Sequence, residues 1–554
     1  MIGVIANPVD SVVAEFFELF KTPWEPYRKD GNYEVILCSV DREFDCRAAR
    51  LVLMYSSEEL SFDRANQIKC AGRREKTVLT YGGMRIPIYG FCRTFCGGDS
   101  SRLLLDETSR ATAHCLQSFE DRTVVRIGYD LFREIHSLLT VGQPAEHAGI
   151  PTLDLHIALL RELIVSAGIT LLEIPAVPAG YRFIACLTHD VDHASIRKHK
   201  WDHTMAGFIY RSLVVSVANF LRGAIPFRDV WTNWAAVFRL PFVYLGIAKD
   251  FWEDFVARYR GLEKDVPSTY FIIPFRDRPG CNPHGEAPPA YRASRYGADD
   301  IARSIAEVLS TGGEVGLHGI DAWFDSASAR EELMCIRRIT GHNEVGARMH
   351  WLYSKEDTPR ILEQAGIAFD STIGYRETVG FRAGTARVYK PLQAERLLEL
   401  PMHAMDTALF YPGYLGLTSA EATRVLENLA DHVESFGGCL TINWHDRSLA
   451  PERLWYSCYT RFLNDLKNRG VWFATASDVV AWYRKRRSVV FERATIEQET
   501  PVSGGTHSNH DETPGLLLRI YNPTHYQDPA RRKSFIDVSF SQDTLLQVAS
   551  GKSR

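Results

Sequence analysis

The sequence predicts an α/β protein whose larger part is a (β/α) barrel, distorted and seven-stranded, preceded by a smaller α+β domain. Three observations predict it. Strand-like and helix-like segments alternate over some 300 residues, the pattern of a parallel sheet. Residues able to bind metal or move protons recur where those strands end: Asp190, Asp192, His318, Arg348, His350 and His445. In barrels of this kind the chemistry sits at the C-terminal ends of the strands. Finally, 554 residues exceed one ordinary core, so two or three domains are expected.

The barrel is expected over residues 176–490. Its first strand is the apolar run from Phe183 to Leu187, which ends in Thr188-His-Asp-Val-Asp-His193. On an extended backbone the side chains of Asp190 and Asp192 point the same way. Two carboxylates so close repel unless a cation lies between them or one is protonated. With His189 and His193 interleaved, the stretch reads as a metal or acid–base site. Further strands are expected at 268–273, 313–317, 345–350, 398–403, 439–443 and 471–474. Helices are expected at 299–309, 328–340, 357–365, 419–434, 454–468 and 476–486, where apolar residues recur at helical spacing. An insertion, 194–262, interrupts the barrel after its first strand. Two apolar helical segments in it, 208–221 and 231–245, read first as a hairpin packed on the core, with a lid, a dimer element or a membrane-surface contact through 208–245 as alternatives. His199 and His203 stand at i and i+4 but lack a third partner, so they read as surface residues.

Residues 1–115 form the α+β domain. Strands are expected at 34–40 and 50–55, and a strand pair at 77–89 across Gly82-Gly83. Residues 116–175 read as a helical connector, with helices at 131–139 and 153–164. Residues 491–554 read as a linker and a small, partly disordered β appendage, with strands at 516–521 and 534–539.

Composition excludes several classes. Hydrophobic residues at 45% and charged residues at 24% are those of a folded soluble chain. The net charge of −4 gives no reason to invoke nucleic acid. The 11 cysteines are odd in number and mostly within apolar runs, which suits free thiols in a reducing compartment. No signal peptide is visible, and residues 212–221 are too short to span a bilayer. These points together predict a cytoplasmic enzyme without a transmembrane segment.

Asp and His ligands without paired cysteines suit a catalytic divalent metal, Zn²⁺ first and Co²⁺, Mn²⁺ or Ni²⁺ as alternatives. The order of these motifs resembles the polysaccharide deacetylase family, carbohydrate esterase family 4, over residues 180–485. Thr188-His-Asp-Val-Asp192 resembles the Asp-x-Asp variant of its first motif, which implies Asp190 as general base and Asp192 as metal ligand. Gly316-Leu-His-Gly-Ile-Asp-Ala322 resembles its His-Ser-x-x-His motif and implies His318 as a ligand. Ala322 stands where the family has its second His, so a third ligand is missing there. Arg348-Met-His350 keeps the Arg that pairs with the base and has His350 in place of Pro. His350 is therefore expected to fill the gap, with Asp321 or His189 as fallbacks. Leu440-Thr-Ile-Asn-Trp-His445 resembles the Leu-x-His motif and implies His445 as general acid. On the substrate side, the resemblance points to Asp370 as a positioner of Arg348, to Arg382 as a contact for an anionic or acetamido group, and to Trp444.

Plainer roles exist for the same residues. His318 can satisfy a backbone group, His445 and Asp446 can cap a turn, and Arg348 can be a structural ion pair. His403 and Asp406 read as pocket or core. The implied activity is metal-dependent removal of N-acetyl groups from amino sugars of a glycan or glycan precursor. Its rivals are hydrolysis of another C–N bond, in a small amide or ureide, and glycan binding by a decayed site.

Overall fold

The computed structural model describes residues 1–7, 10–96, 103–223, 225–492, 514–521 and 535–540. The chain divides into two units. One comprises residues 1–143, 150–180 and 481–554, and the other residues 144–149 and 181–480.

The first unit is built on a six-stranded sheet. Its order is Trp24–Pro26, Ile2–Ile5, Val35–Cys38, Leu51–Tyr55, Thr123–Ile127 and His114–Ser118. The first four pairings are parallel, and only the last is antiparallel. This corrects the α+β expectation toward α/β. It also corrects the helical connector, because residues 114–118 and 123–127 complete the sheet before the helices Leu131–Thr140 and Thr152–Ser166 begin. Short strands of mixed polarity carry little periodic signal, which is why the connector looked purely helical. The expected hairpin is present and longer, Cys70–Tyr81 against Met84–Phe95. Gly82 and Gly83 turn it with φ of 54° and 83°, the left-handed pair a tight two-residue turn requires. The late strand Leu516–Tyr521 pairs with Phe535–Phe540 on one side and with Leu171–Glu173 on the other. The expected linker, from residue 493 to 513, lies outside the described residues.

The second unit is the barrel. Its sheet is entirely parallel, in the order Ala347–Met349, Glu314–Gly319, Ser268–Ile272, Ile184–Val191, Cys439–Asn443 and Ala404–Met405, with Trp472–Phe473 joining the start of Ile184–Val191. All eight residues of Ile184–Val191 are buried, as a central strand covered on both faces must be. The two edges approach each other through Asp370, which bridges Ala347 on one side and Glu399 on the other. The stretch 398–403 therefore carries only isolated bridges, from Glu399 to Asp370 and to Tyr389, and its regular pairing begins one step later, at Ala404. Gly346 permits that approach: a Cβ there would lie 2.0 Å from the Phe369 ring.

The insertion forms the helix His203–Tyr210, a π turn Arg211–Val215 and the helices Ser216–Leu221 and Phe227–Tyr244. Phe208, Leu240 and Val243 pack with Phe251 and Trp252, within the same insertion, and with Ala450 outside it. Its first three pieces are continuous, so the 212–221 reading was too short. Residues His203–Leu221 make a 19-residue helical stretch of mean hydropathy 1.3, long and apolar enough by composition to cross a membrane. His199 is buried rather than at the surface, bonded to His193 and Asp202. The helix begins only at His203, so the two imidazoles do not share a helical face.

Burial makes the first unit sensitive to acid. His156 is fully buried, meets Tyr129 Oη at 3.1 Å through Nδ1 and has no partner at Nε2. Burial depresses its pKa from 6.5 to about 3. Above 6.5 the neutral ring costs nothing; as pH falls from 6.5 toward about 3 the unfolded chain takes up the proton and the folded one does not. Stability should therefore drop by up to about 1.4 kcal/mol per pH unit in that window. Thermal unfolding from neutral to mildly acid pH should show a shallower decline in His156→Leu than in the unaltered protein. Equal slopes would contradict this.

Candidate metal-dependent active site

The parallel register delivers the site. His318 pairs with Arg348 on adjacent strands, and Asp190 lies two strands further along, beyond Ser268–Ile272. Asp192 Oδ1, His318 Nε2 and His350 Nδ1 converge, with both nitrogens 3.4 Å from the oxygen and 3.0 Å from each other. The protonation of each ring is fixed by its outer nitrogen. His318 Nδ1 faces the Arg348 carbonyl at 3.0 Å, and His350 Nε2 faces the Arg292 carbonyl at 3.2 Å. A carbonyl only accepts, so each of those nitrogens carries the proton and the inner nitrogens present lone pairs.

Three acceptors thus face one point with no hydrogen among them. Burial pushes His350 down to about 4, against the pull of Asp192, so the ring supplies no second proton at neutral pH. Burial works against a charge on Asp192, while the His445 ring, 3.8 Å from its Oδ2, favours the carboxylate. Asp192 Oδ1 is left buried without a hydrogen-bond partner. Such an arrangement is repulsive unless a cation occupies its centre. A tetrahedral ion with bonds of about 2.0–2.1 Å has ligand atoms about 3.4 Å apart, close to the spacing here. The donor set, one carboxylate and two imidazoles, fits Zn²⁺ or a neighbouring divalent metal.

Two further groups flank the triad. Asp190 lies with Oδ2 3.9 Å from His318 Nε2. Arg348 Nη1 donates to its Oδ1 at 3.0 Å and Asn443 Nδ2 to its Oδ2 at 2.8 Å, while Asn443 Oδ1 accepts from the Asp190 backbone. On the other side, His445 Nε2 is 3.8 Å from Asp192 Oδ2. Its Nδ1 meets Asp406 Oδ1 at 2.6 Å, and Asp406 also accepts from the His445 backbone and from Ser448 Oγ. Burial opposes a charge on His445, but Asp406, with help from Asp192 and Asp190, raises its pKa to about 10. The ring is an imidazolium at neutral pH.

Five of the six expected catalytic and ligand residues therefore line one cavity, with Arg348 buried behind Asp190; the three expected substrate contacts do not line it. Trp444 packs its ring against Phe410 and Tyr459, away from the site, because strand alternation sends it opposite to Asn443 and His445. Asp370 is buried in the barrel wall, bonded to Thr372 Oγ1 and the Ser371 backbone, and it is Ser371, through its carbonyl and hydroxyl, that holds Arg348. Arg382 lies over the Tyr375 ring and not in the cavity. Neither fallback ligand reaches the triad: His189 points backward to Glu263 and the Trp444 carbonyl, and Asp321 accepts from the Cys281 backbone. Ala322 is fully buried, and the turn that carries it is held by Glu332, which accepts from the Ile320 and Asp321 amides.

Sequence reasoning missed Asn443 and Arg292, and it gave Asp446 only a turn-capping role and Asp406 only a place in the pocket or core. Asn443 was available from alternation, two residues before His445. Asp446 accepts the amides of Asp192, His193 and Ala194, a long-range contact without local signal. Arg292 donates to the carbonyls of Ile320 and His350, tying both ligand loops together.

The cavity encloses about 290 Å³ and is lined by the triad, Asp190 and His445, by Tyr291, Trp351, Tyr411 and Tyr414, and by insertion residues including His203, Thr204 and Arg211. Trp351 and Leu352, with φ of 63° and 54°, take left-handed conformations directly after His350. Two such residues in succession are costly, and strain of this kind collects at functional sites. Asn443→Ala and Asp406→Asn are each expected to lower activity about 10–100-fold, the usual cost of losing an orienting partner. Bound metal, measured by elemental analysis, should stay unchanged in both.

No protein-family model and no curated protein matches the sequence. Among solved structures, the chain is similar to a putative polysaccharide deacetylase from Mycobacterium smegmatis, at 18% identity and a TM-score of 0.35, over 59% of this chain and 100% of that one. Puue allantoinase is similar at 15% identity and a TM-score of 0.33, over 56% and 93%. A probable polysaccharide deacetylase from Pseudomonas aeruginosa PAO1 is similar at 16% identity and a TM-score of 0.32, over 56% and 94%.

Proposed function

We propose that this chain is a metal-dependent hydrolase that removes an acyl group, in the first place acetyl, from the nitrogen of an amino sugar. One observation carries the reading: a three-donor metal site has a carboxylate on one side and an imidazolium on the other, all facing one cavity. Asp192, His318 and His350 would hold the divalent ion, which when bound would supply Lewis acidity toward a carbonyl and lower the pKa of water.

The chain's own residues supply the proton movements. Asp190 accepts the proton of the attacking water through its carboxylate, which Arg348 and Asn443 hold toward the site. His445 Nε2 gives its proton to the amide nitrogen as the C–N bond breaks, and Asp406 stabilises the imidazolium until then. The acyl carbon leaves as a carboxylate and the sugar as an amine. Asp190 lies beside His318 and His445 beside Asp192, so the two can serve different atoms of one substrate.

Aromatic rings at the cavity, Trp351, Tyr411 and Tyr414, suit the apolar faces of a sugar ring. The insertion helix walls one side of the cavity, which favours a small glycan precursor over a polymer needing an open groove. Acetate release from N-acetylated amino sugars, run beside a panel of small amides and ureides, tests the assignment. Activity should vanish on chelation and return with Zn²⁺, and Asp192→Asn should lose at least about 10³-fold while keeping its circular dichroism spectrum. Full activity after chelation would sink the metal-dependent mechanism; protein that purifies without metal and takes none up would favour a non-catalytic binding role.

A further inference from the structure

Four arginines line the cavity with the metal triad. Arg376 lies over the Trp351 ring; the other three have no role in the chemistry above: Arg211 from the insertion, and Arg447 and Arg453 from the turn after His445. Arg453 is only 9% exposed, yet its Nε and Nη1 have no partner; its Nη2 donates to Tyr411 Oη at 2.5 Å. Arg447 Nη1 and Arg211 Nε are likewise buried without an acceptor. None of the three is in an ion pair among the described residues. The nearby acids are otherwise engaged or out of reach. Asp406 serves His445 and Ser448, and Asp446 serves three backbone amides. Glu452 is buried with both carboxylate oxygens unpartnered, and it tempers the arginines only through space. Burial, and then repulsion from Arg453 and Arg447, brings Arg211 down to about 10.

Buried cations without counter-ions are costly to maintain. Three at one cavity wall imply that the ligand brings the anion. A phosphate carries about −1.5 to −2 charges and several acceptor oxygens, which suits three planar forks better than the single charge of a carboxylate. Gly207 clears the space: a Cβ there would lie 3.4 Å from both terminal nitrogens of Arg211. We propose that Arg211, Arg447 and Arg453 form a phosphoryl-binding subsite, so that the substrate carries a phosphate or diphosphate close to the bond that is cleaved. The identity of that bond rests on the hydrolase reading above; the subsite does not.

The phosphoryl group can belong to a soluble sugar phosphate or to a lipid-carried one. The second source has a structural counterpart, because the insertion that supplies Arg211 exposes Trp231 and Phe238, at 60% and 72%, on its next helix.

The test is calorimetric titration of the full chain, zinc-loaded and metal-free, with inorganic pyrophosphate and with glucuronate. Pyrophosphate should bind both forms and bind more tightly than glucuronate. Arg211→Gln and Arg447→Gln should each weaken it about tenfold or more, with metal content unchanged in the zinc-loaded form. Arg211 lies on the insertion, so its replacement spares the barrel. Sedimentation with phosphatidylcholine vesicles, with and without phosphatidic acid, separates the sources: phosphate-dependent binding that pyrophosphate displaces identifies a lipid carrier, and its absence beside tight pyrophosphate binding identifies a soluble one. No pyrophosphate binding by the unaltered protein, binding indifferent to both substitutions, or preference for glucuronate would overturn the proposal. Protein that binds pyrophosphate but hydrolyses nothing would retain the subsite and refute the hydrolase assignment.

Discussion

The site depends on two hydrogen bonds that point away from it. His318 Nδ1 and His350 Nε2 each give their proton to a backbone carbonyl, and this alone turns both inner nitrogens into lone pairs beside Asp192. One of those carbonyls belongs to Arg348, whose guanidinium holds Asp190. A single residue therefore fixes the tautomer of a ligand with its backbone and the orientation of the proposed base with its side chain. Both follow from the register that places Arg348 beside His318. A slip of one residue between these strands would send Arg348 to the opposite face and remove the side-chain half of this arrangement.

Carboxylates perform most of the remaining positioning, each in a different way. Asp406 aligns His445 from behind and keeps it charged. Asp446 accepts three successive amides and so fixes the backbone that carries Asp192. Glu332 does the same for the turn after His318, where burial pushes its own pKa up to about 7. A buried acid of this type is sustained by several N–H donors, and in return it rigidifies a loop that no regular pairing holds.

The insertion changes what the barrel mouth can admit. His203, Thr204, Gly207 and Arg211 form one wall of the cavity, while the opposite side of the same helical segment and the helix after it remain apolar and exposed. In sequence this region reads as a hairpin on the core; in the structure its helices pack on Phe251 and Trp252 of the same insertion and reach Ala450 outside it. The contribution of Arg211 to the cavity was invisible, because it depends on a π turn that rotates the chain between two helical segments.

Local pattern determined the alternation of strands and helices, the convergence of Asp190 and Asp192, and the placing of His318, Arg348, His350 and His445 at strand ends. These readings need only the two- and 3.6-residue periods and the rule that parallel strands end at the site. Alternation, applied consistently, would also have excluded Trp444 and found Asn443. Tertiary structure decided the rest. That Ser371 and not Asp370 holds Arg348, that Asp406 stands behind His445, and that three arginines without counter-ions meet beside the metal site all depend on contacts between residues 23 to more than 200 positions apart. No period or motif encodes such contacts, because they arise only when separate strands and the insertion are brought to one edge of the same sheet.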